Sequence, residues 1–560
     1  MSGINESWEA KAAAKRASIL ASIPQEWRLT KDEVEWAEQQ RDLAKTAMPK
    51  FIDKLLDETE KAIVNLDSVP IVEGIKSKKF TAVQVAKAFC KTAAIAHQIN
   101  PCLLEIFFDQ ALDRAKELDD YQEANGTTTG PLHGLPVSLK DQFNVKGVET
   151  CMAYVGWIGT QGGIDDPSKT FKIESQITKE LLTCGAVLYC KTSLPQTVYI
   201  GETCNNIIGT TRNPHNKALT CGGSSGGEGA LIALHGSTIG VGTDIGGSVR
   251  IPAAFCGIFS LKPTPSRISY KDAANTAPGQ TTYSSTVGFL GTSIDGLDLI
   301  FKSILSTQPW LADPAVVPIP YRPTTLDSSK PLKIGVYRTD GVVNPHPPIR
   351  RGLGLFADAI KAAGHKVVEW NAPDPRQAYE VHESFMVCDG LYDIHQQLAL
   401  SGEPLIPQLA ESFKQFSPRE LLDMHRLTLE GLAEEIKFND YWNSTAHDDG
   451  QVVDAVIMPC APSASLVPGK YRHLGYTRLI NLLGYSAVVV PITKANKAID
   501  VVDQDYEPLN EEDRLVWEDY DPELFDGAPV ALQIVCRKFE EEKALAVAKE
   551  LYSAFLKRMN

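Results

Sequence analysis

The tightest constraint on this chain lies between Gly201 and Gly257, where glycines, serines and threonines alternate with short apolar runs. A Gly/Ser linker is polar throughout and flexible. Here the glycines are interleaved with Leu231-Ile-Ala-Leu234 and Ile251-Pro-Ala-Ala-Phe-Cys-Gly-Ile-Phe259, which are too apolar to be left in water. The stretch must pack, and packed glycines mean tight turns and close backbone approach. Two motifs stand out within it. The first is Cys221-Gly-Gly-Ser224-Ser225-Gly-Gly-Glu-Gly-Ala230. Its glycines let other groups reach two hydroxyls at the mouth of a helix, and it lacks the closing Gly-Lys-Ser/Thr of a P-loop. The second is Gly242-Thr-Asp-Ile-Gly-Gly-Ser248-Val-Arg250-Ile-Pro252. Consecutive glycines before Ser248 allow successive N–H groups to face one space, which suits an oxyanion hole beside a nucleophilic serine. Taken alone, a Gly-rich turn after the strand Ile239-Gly-Val-Gly242 explains it equally well.

A third motif lies upstream, Gly134-Leu-Pro-Val-Ser-Leu-Lys140-Asp141. A lysine in an apolar strand either snorkels or pairs with a carboxylate such as Asp141. The alternative is a desolvated lysine held as the neutral amine, which acts as a base.

The rest of the chain supplies a scaffold. Residues 1 to about 75 read as a polar, helical N-terminal extension, with Pro24 and Trp27 separating two amphipathic stretches. Thr81-Ala-Val-Gln84 is a capping-box signature ahead of an Ala-rich helix to Gln98. Past Lys330 a strand, Leu332–Tyr337, is followed by a helix from Arg351 to Ala363 and a second strand, Lys366–Trp370. Later strands are Ala455–Met458, Ala487–Val490 and Val530–Val535, and a helix spans Glu540 to Leu556. Length alone, 560 residues, suggests three or four domains. Strands alternating with helices throughout predict one α/β unit instead. We expect a single large mixed β-sheet covered by helices on both faces, with 76–560 as the catalytic domain. The segment 500–526 is acidic, carries Tyr506, Trp517, Tyr520 and Phe525, and reads as a surface excursion.

Charge and cysteine usage exclude several classes. With 55 Lys and Arg against 70 Asp and Glu, the net charge is 55 − 70 = −15. That balance argues against a nucleic-acid binder and against adhesion to an anionic membrane surface. No apolar run is long enough for a membrane span. The 11 cysteines are odd in number and form no CxxC, and there is no HExxH, so no metal site is expected and reduced, cytoplasmic thiols are.

The order Lys140, Gly-Gly-Ser224-Ser225-Gly-Gly, Gly-Gly-Ser248, with the serines 248 − 224 = 24 residues apart, resembles the amidase signature family. Matching stretches run from about Thr81 to Lys262 and return in Asp454–Pro459 and from Gly527 to Glu542. Ile23-Pro-Gln-Glu-Trp27 and the acidic 500–526 segment are similar to fungal acetamidase-like general amidases. The resemblance implies the amidase signature fold and a Ser–Ser–Lys triad, with Ser248 as acyl-forming nucleophile, Ser224 as bridge and Lys140 as base. It implies a cis peptide at Gly223–Ser224 and an oxyanion hole from the N–H groups of Ile245, Gly246, Gly247 and Ser248. It gives Asp244 and Arg250 an orienting role beside Ser225, and puts Val198 and Tyr199 at the acyl pocket. Cys151-Met152 stands where many relatives carry small hydroxyl residues. No cofactor is implied, the partner is a small-molecule amide, and homodimers are common in the family.

Rival readings remain. A Ser–His–Asp triad would draw on His133 or His215, yet Gly246-Gly-Ser248-Val-Arg250 lacks the second glycine of a nucleophile elbow. Within the family, a glutaminase subunit of a glutamyl-tRNA amidotransferase and a fatty acid amide hydrolase-like enzyme are the alternatives. Outside enzymology, a non-catalytic binding module would require a missing triad member. In 300–450, Trp310, Phe385, Met386, Tyr392 and Trp442 are the aromatic and Met candidates for shaping the pocket.

Overall fold

Apolar runs such as Ala487-Val-Val-Val490 bury both faces, as central strands do in a sheet covered on two sides. The computed structural model describes residues 7–327, 329–447 and 449–559. In chain order its strands are β1 (Leu103–Ile106), β2 (Pro136–Lys140), β3 (Val187–Thr192), β4 (Cys204–Asn205), β5 (Gly209–Thr210), β6 (Ile239–Asp244) and β7 (Phe259–Lys262). They continue with β8 (Thr286–Gly291), β9 (Lys333–Val336), β10 (Lys366–Glu369), β11 (Ala455–Pro459), β12 (Ser486–Lys494) and β13 (Pro529–Cys536). Eleven join one mixed sheet in the order β1-β3-β2-β6-β8-β7-β12-β13-β11-β9-β10, and β4 and β5 form a separate ribbon.

The period-2 geometry of strands divides the core. Ala455 and Ile457 of β11 point into the cluster that holds Phe356 and Phe555, beneath helices Pro347–Ala362 and Glu541–Met559. Val456 and Met458 point the other way, toward Trp442 and Tyr476 on helices Leu421–Ser444 and Gly475–Leu482. Helices thus cover both faces, as expected. The expected strand–helix–strand unit is present, with β9 and β10 parallel and in register from Lys333↔Lys366 to Val336↔Glu369.

Thr81 caps helix Ala82–Ile99 with the reciprocal Thr81–Gln84 bonds that its sequence predicts. The segment before it is helical from Trp8–Ala21 to Ser68–Lys76. Its Ile23, Trp27, Phe51 and Ile71 are buried in the same cluster as the sheet residues Val137 and Val241. Lys140 ends β2 and Asp244 ends the parallel neighbour β6, which is paired to it at Ser138↔Gly240 and Leu139↔Val241. The carboxyl ends of adjacent parallel strands are where open α/β sheets gather ligands.

Candidate active site

Alternation along β2 sends Val137 and Leu139 into the apolar core and Ser138 and Lys140 to the other face. Lys140 is fully buried, and its Nζ donates to Ser224 Oγ at 2.7 Å and to Thr243 Oγ1 at 2.8 Å. Thr243 Oγ1 in turn donates to Gln142 Oε1 at 2.7 Å, which fixes that hydroxyl as an acceptor for the lysine. No carboxylate pairs with Lys140 among the described residues. Burial therefore pushes its pKa well below the usual 10.5, and the more distant charges of Asp244 and Glu228 do not restore it. Asp141, the sequence's nearest candidate partner, pairs instead with Lys191 on β3 at 2.9 Å. Glu228 is raised to about 7 by burial while Ser138 and Thr192 donate to it at 2.6 and 2.9 Å.

Ser224 and Ser225 lead into helix Gly226–Ala233, and the Gly223–Ser224 peptide is cis. A Cβ on Gly223 would collide with the Glu202 carbonyl oxygen, so this loop tolerates no side chain there. Ser225 N–H donates to the Ser248 carbonyl at 3.0 Å, and its hydroxyl meets the Thr243 backbone. These bonds clasp the two serine loops together. The Ser224 and Ser248 hydroxyls themselves share no hydrogen bond among the described residues.

The Ser248 loop is held from beneath by Asp244. Its carboxylate accepts from the N–H groups of Gly247 (2.9 Å) and Val249 (3.1 Å), from Arg250 Nε (3.1 Å) and Nη2 (3.0 Å), and from Asn481 Nδ2 (2.8 Å). Burial alone would raise the Asp244 pKa, but the Arg250 guanidinium overrides it and holds the group below the usual carboxylate range. Arg250 extends the network to Gln533 on β13 at 3.0 Å. Gly247 has φ +131°, and a Cβ there would reach within 2.7 Å of Thr477 Cβ, so the turn needs glycine. Of the four amides expected to form an anion-binding nest, that of Gly247 is engaged by Asp244. Those of Ile245, Gly246 and Ser248 have no acceptor among the described residues.

Ser248 opens on a cavity of about 130 Å³, lined with Gly223, Ile245, Gly246, Val198, Tyr199 and Met386 among others. Val198 and Tyr199 both lie on the wall of this cavity. Of the five aromatic and Met candidates from 300–450, only Met386 lines the cavity. Trp442 donates to Val453 O in a separate core, Phe385 packs edge-on against Tyr283, Tyr392 is 53 % exposed, and Trp310 lies in a short turn. His133 bonds to Thr129 and His215 to Cys256 O, and neither lines the cavity.

The residue that sequence reasoning missed is His382. It is buried, its Nε2 lies 2.7 Å from Ile245 O, and burial lowers its pKa to about 3. A carbonyl only accepts, so Nε2 carries the proton and the ring is neutral. The bond orients the Ile245–Gly246 peptide, whose N–H is one of the free donors. The acidic segment reaches this region through Glu512, which with Asp340 flanks His473 at 2.8 and 2.7 Å. Burial disfavours the imidazolium, yet these two carboxylates raise His473 to about 9.

A buried lysine whose pKa is lowered, two glycine-framed serines and a turn of free amides thus meet at one end of a mixed α/β sheet. The chain belongs to the amidase family, whose model matches residues 84–545. It is 40% identical to an acetamidase of Emericella nidulans over 558 residues, 98% of each chain. It is 39% identical to an acetamidase of Aspergillus oryzae over 550 residues, 97% of this chain and 98% of that one. In three dimensions it is similar to a fatty acid amide hydrolase with a TM-score of 0.90 and 31% identity, across 97% of this chain and 94% of that one. The protein is an amide hydrolase of this family. No helix among the described residues is long and apolar enough to cross a membrane.

Proposed function

We propose that this amidase hydrolyses carboxylic amides to acid and ammonia or amine through a Ser248–Ser224–Lys140 triad and an acyl-enzyme. The single observation that carries the reading is Lys140, buried without a carboxylate and bonded to Ser224 Oγ at 2.7 Å. Ser248 Oγ attacks the amide carbon as its proton passes to Ser224 and the Ser224 proton to Lys140. The negative oxygen of the tetrahedral intermediate takes the free N–H groups of Ile245, Gly246 and Ser248. Lys140, now an ammonium, returns a proton through Ser224 to the nitrogen as the C–N bond breaks. Water then repeats the sequence on the ester.

Asp244, Arg250 and Ser225 support the loop and do not touch the substrate. The catalytic body is 76–560, with 1–75 as a helical extension. The cysteines, unpaired throughout, support a reducing, cytoplasmic setting. Ser248→Ala and Lys140→Ala are each expected to abolish ammonia release from an amide panel running from acetamide to anilides, with the unfolding transition retained. A fluorophosphonate probe should label Ser248 in the wild-type chain, as read by peptide mass. Activity retained in either purified variant would sink the mechanism.

A further inference from the structure

A cavity of about 410 Å³ lies in the seam between the N-terminal helices and the rest of the chain, and it shares no residue with the walls around Ser248. A volume of this order suits a small ligand. Its walls are mostly apolar. Leu20, Ile23, Leu29 and Val34 come from the N-terminal side, and Pro101 and Ile208 from the other. Four polar side chains interrupt them, those of Arg16, Arg28, His97 and Gln98.

Gln98 is fully engaged within the protein. Its Oε1 accepts from Leu29 N–H at 2.7 Å, and its Nε2 donates to Trp27 O and Ala94 O at 3.1 and 2.9 Å. His97 is not. It is 6 % exposed, and its Nδ1 accepts from the N–H groups of Cys102 and Leu103 at 3.3 and 3.1 Å. An accepting Nδ1 leaves the ring proton on Nε2, and burial lowers the pKa to about 4, so the ring is neutral. That Nε2–H has no acceptor among the described residues, yet it keeps contact with solvent, unlike the sealed Nε2 of His133. On a buried side chain that lines the cavity, it is a donor facing the cavity space.

The two arginines add charge. Arg16 Nη1 donates to Ile207 O at 2.6 Å, and Arg28 Nε and Nη2 donate to Ile23 O and Ala21 O at 2.9 and 3.0 Å. These bonds hold the guanidiniums in place and leave Arg16 Nε and Nη2 and Arg28 Nη1 without an acceptor among the described residues. Neither guanidinium meets a carboxylate there, and no acidic side chain lines the cavity. In a chain of net charge −15 two uncompensated arginines on one cavity stand out. Apolar walls, one buried donor and two guanidiniums are the complement of a carboxylate on an apolar body. A bare phosphate gains nothing from the apolar walls, and a plain hydrocarbon leaves the donor and the cations unanswered.

We propose that this cavity binds a free medium-chain carboxylic acid, its alkyl chain against Leu20, Ile23, Leu29 and Val34 and its carboxylate toward His97, Arg16 and Arg28. Such a ligand touches both sides of the seam and ties the N-terminal helices to the rest of the chain. The site is separate from Ser248, and the proposal holds whether or not that serine is the nucleophile.

Calorimetric titration of the full chain with octanoate and with 1-octanol tests it. We expect one saturable site for octanoate, at least about tenfold tighter than for 1-octanol, because the alcohol keeps the chain and loses the charge-assisted bonds. An octanoic acid bearing a diazirine should crosslink to peptides within 16–34 or 97–101, as read by mass. Arg16→Gln combined with Arg28→Gln should weaken octanoate at least about tenfold. Equal affinity for acid and alcohol overturns the proposal and leaves an apolar groove. Crosslinks confined to the Ser248 cavity, such as the peptide holding Val198 and Tyr199, overturn it, as does undiminished binding in the double variant. Absence of octanoate binding overturns it too, and sedimentation with phosphatidylglycerol vesicles in that case would make the arginines a lipid-surface contact. The wild-type comparison and the crosslink decide even where the double variant fails to fold.

Discussion

Two lysines on adjacent strands, Lys140 of β2 and Lys191 of β3, are both fully buried, yet they live in opposite chemistry. Lys140 meets only the hydroxyls of Ser224 and Thr243. Lys191 meets the Asp141 carboxylate at 2.9 Å, Thr150 Oγ1 at 2.6 Å and Glu149 O at 2.7 Å. Beyond it, Lys15 from helix Trp8–Ala21 reaches between Glu105 and Glu149. Burial there opposes the Lys15 charge, but the carboxylates more than offset it and raise its pKa. Burial by itself therefore does not make a base. The decisive term is whether the buried ammonium finds a carboxylate, and one residue along the chain, Asp141, is turned toward the neighbouring lysine instead of Lys140.

The contrast is sharpest where activity and stability separate. Lys140→Met should lower kcat/KM by at least about 10³-fold, since it removes the base, while stability stays level or rises because no carboxylate is orphaned. A loss of both together would erase the distinction between the two sites. Lys191→Met should do the reverse in urea unfolding, at about 3–5 kcal/mol, because it strands Asp141 in the core. Unchanged stability would show that the pair is replaceable. Lys15→Met should be milder, about 1–3 kcal/mol, since Glu105 and Glu149 keep some contact with solvent. The gentlest test is pH. On its acid side kcat/KM should rise about tenfold per pH unit as Lys140 loses its proton, and level off well below the 10.5 of an ordinary lysine. Between the lowered value and 10.5 the unfolded chain binds the proton that the folded chain has lost. Wild-type stability relative to Lys140→Met must therefore rise with pH across that window.

What the sequence carries well is whatever is local. Ser224, Ser225, Asp244, Ser248 and Arg250 lie in two unbroken motifs, so their spacing survives in the fold. The Thr81 cap and the β9–helix–β10 unit are legible for the same reason. His382, Tyr471 and Arg478 carry no such signal. Each stands in ordinary helical or loop surroundings and lines the cavity over Ser248 only through the packing of helices Arg376–Met386 and Gly475–Leu482 and of the loop before the second. Met386 lines the cavity while its neighbour Phe385 turns into another core, a difference of one position on a helix. The Asp141–Lys191 pair is hidden likewise, because the sequence cannot say which of two buried lysines a carboxylate will choose.

The placement of β13 bears on synthesis. Although it comes last among the thirteen strands, it is inserted between β12 and β11. Until residues 529–536 leave the ribosome, those two strands have no common neighbour and present raw edges in the middle of the future sheet. Arg250 also waits, since its Gln533 partner lies on that strand. A nascent chain thus holds Lys140 and both serines long before the clamp beneath Ser248 is complete. Chaperone dependence and aggregation during translation should track the exposure of those two edges.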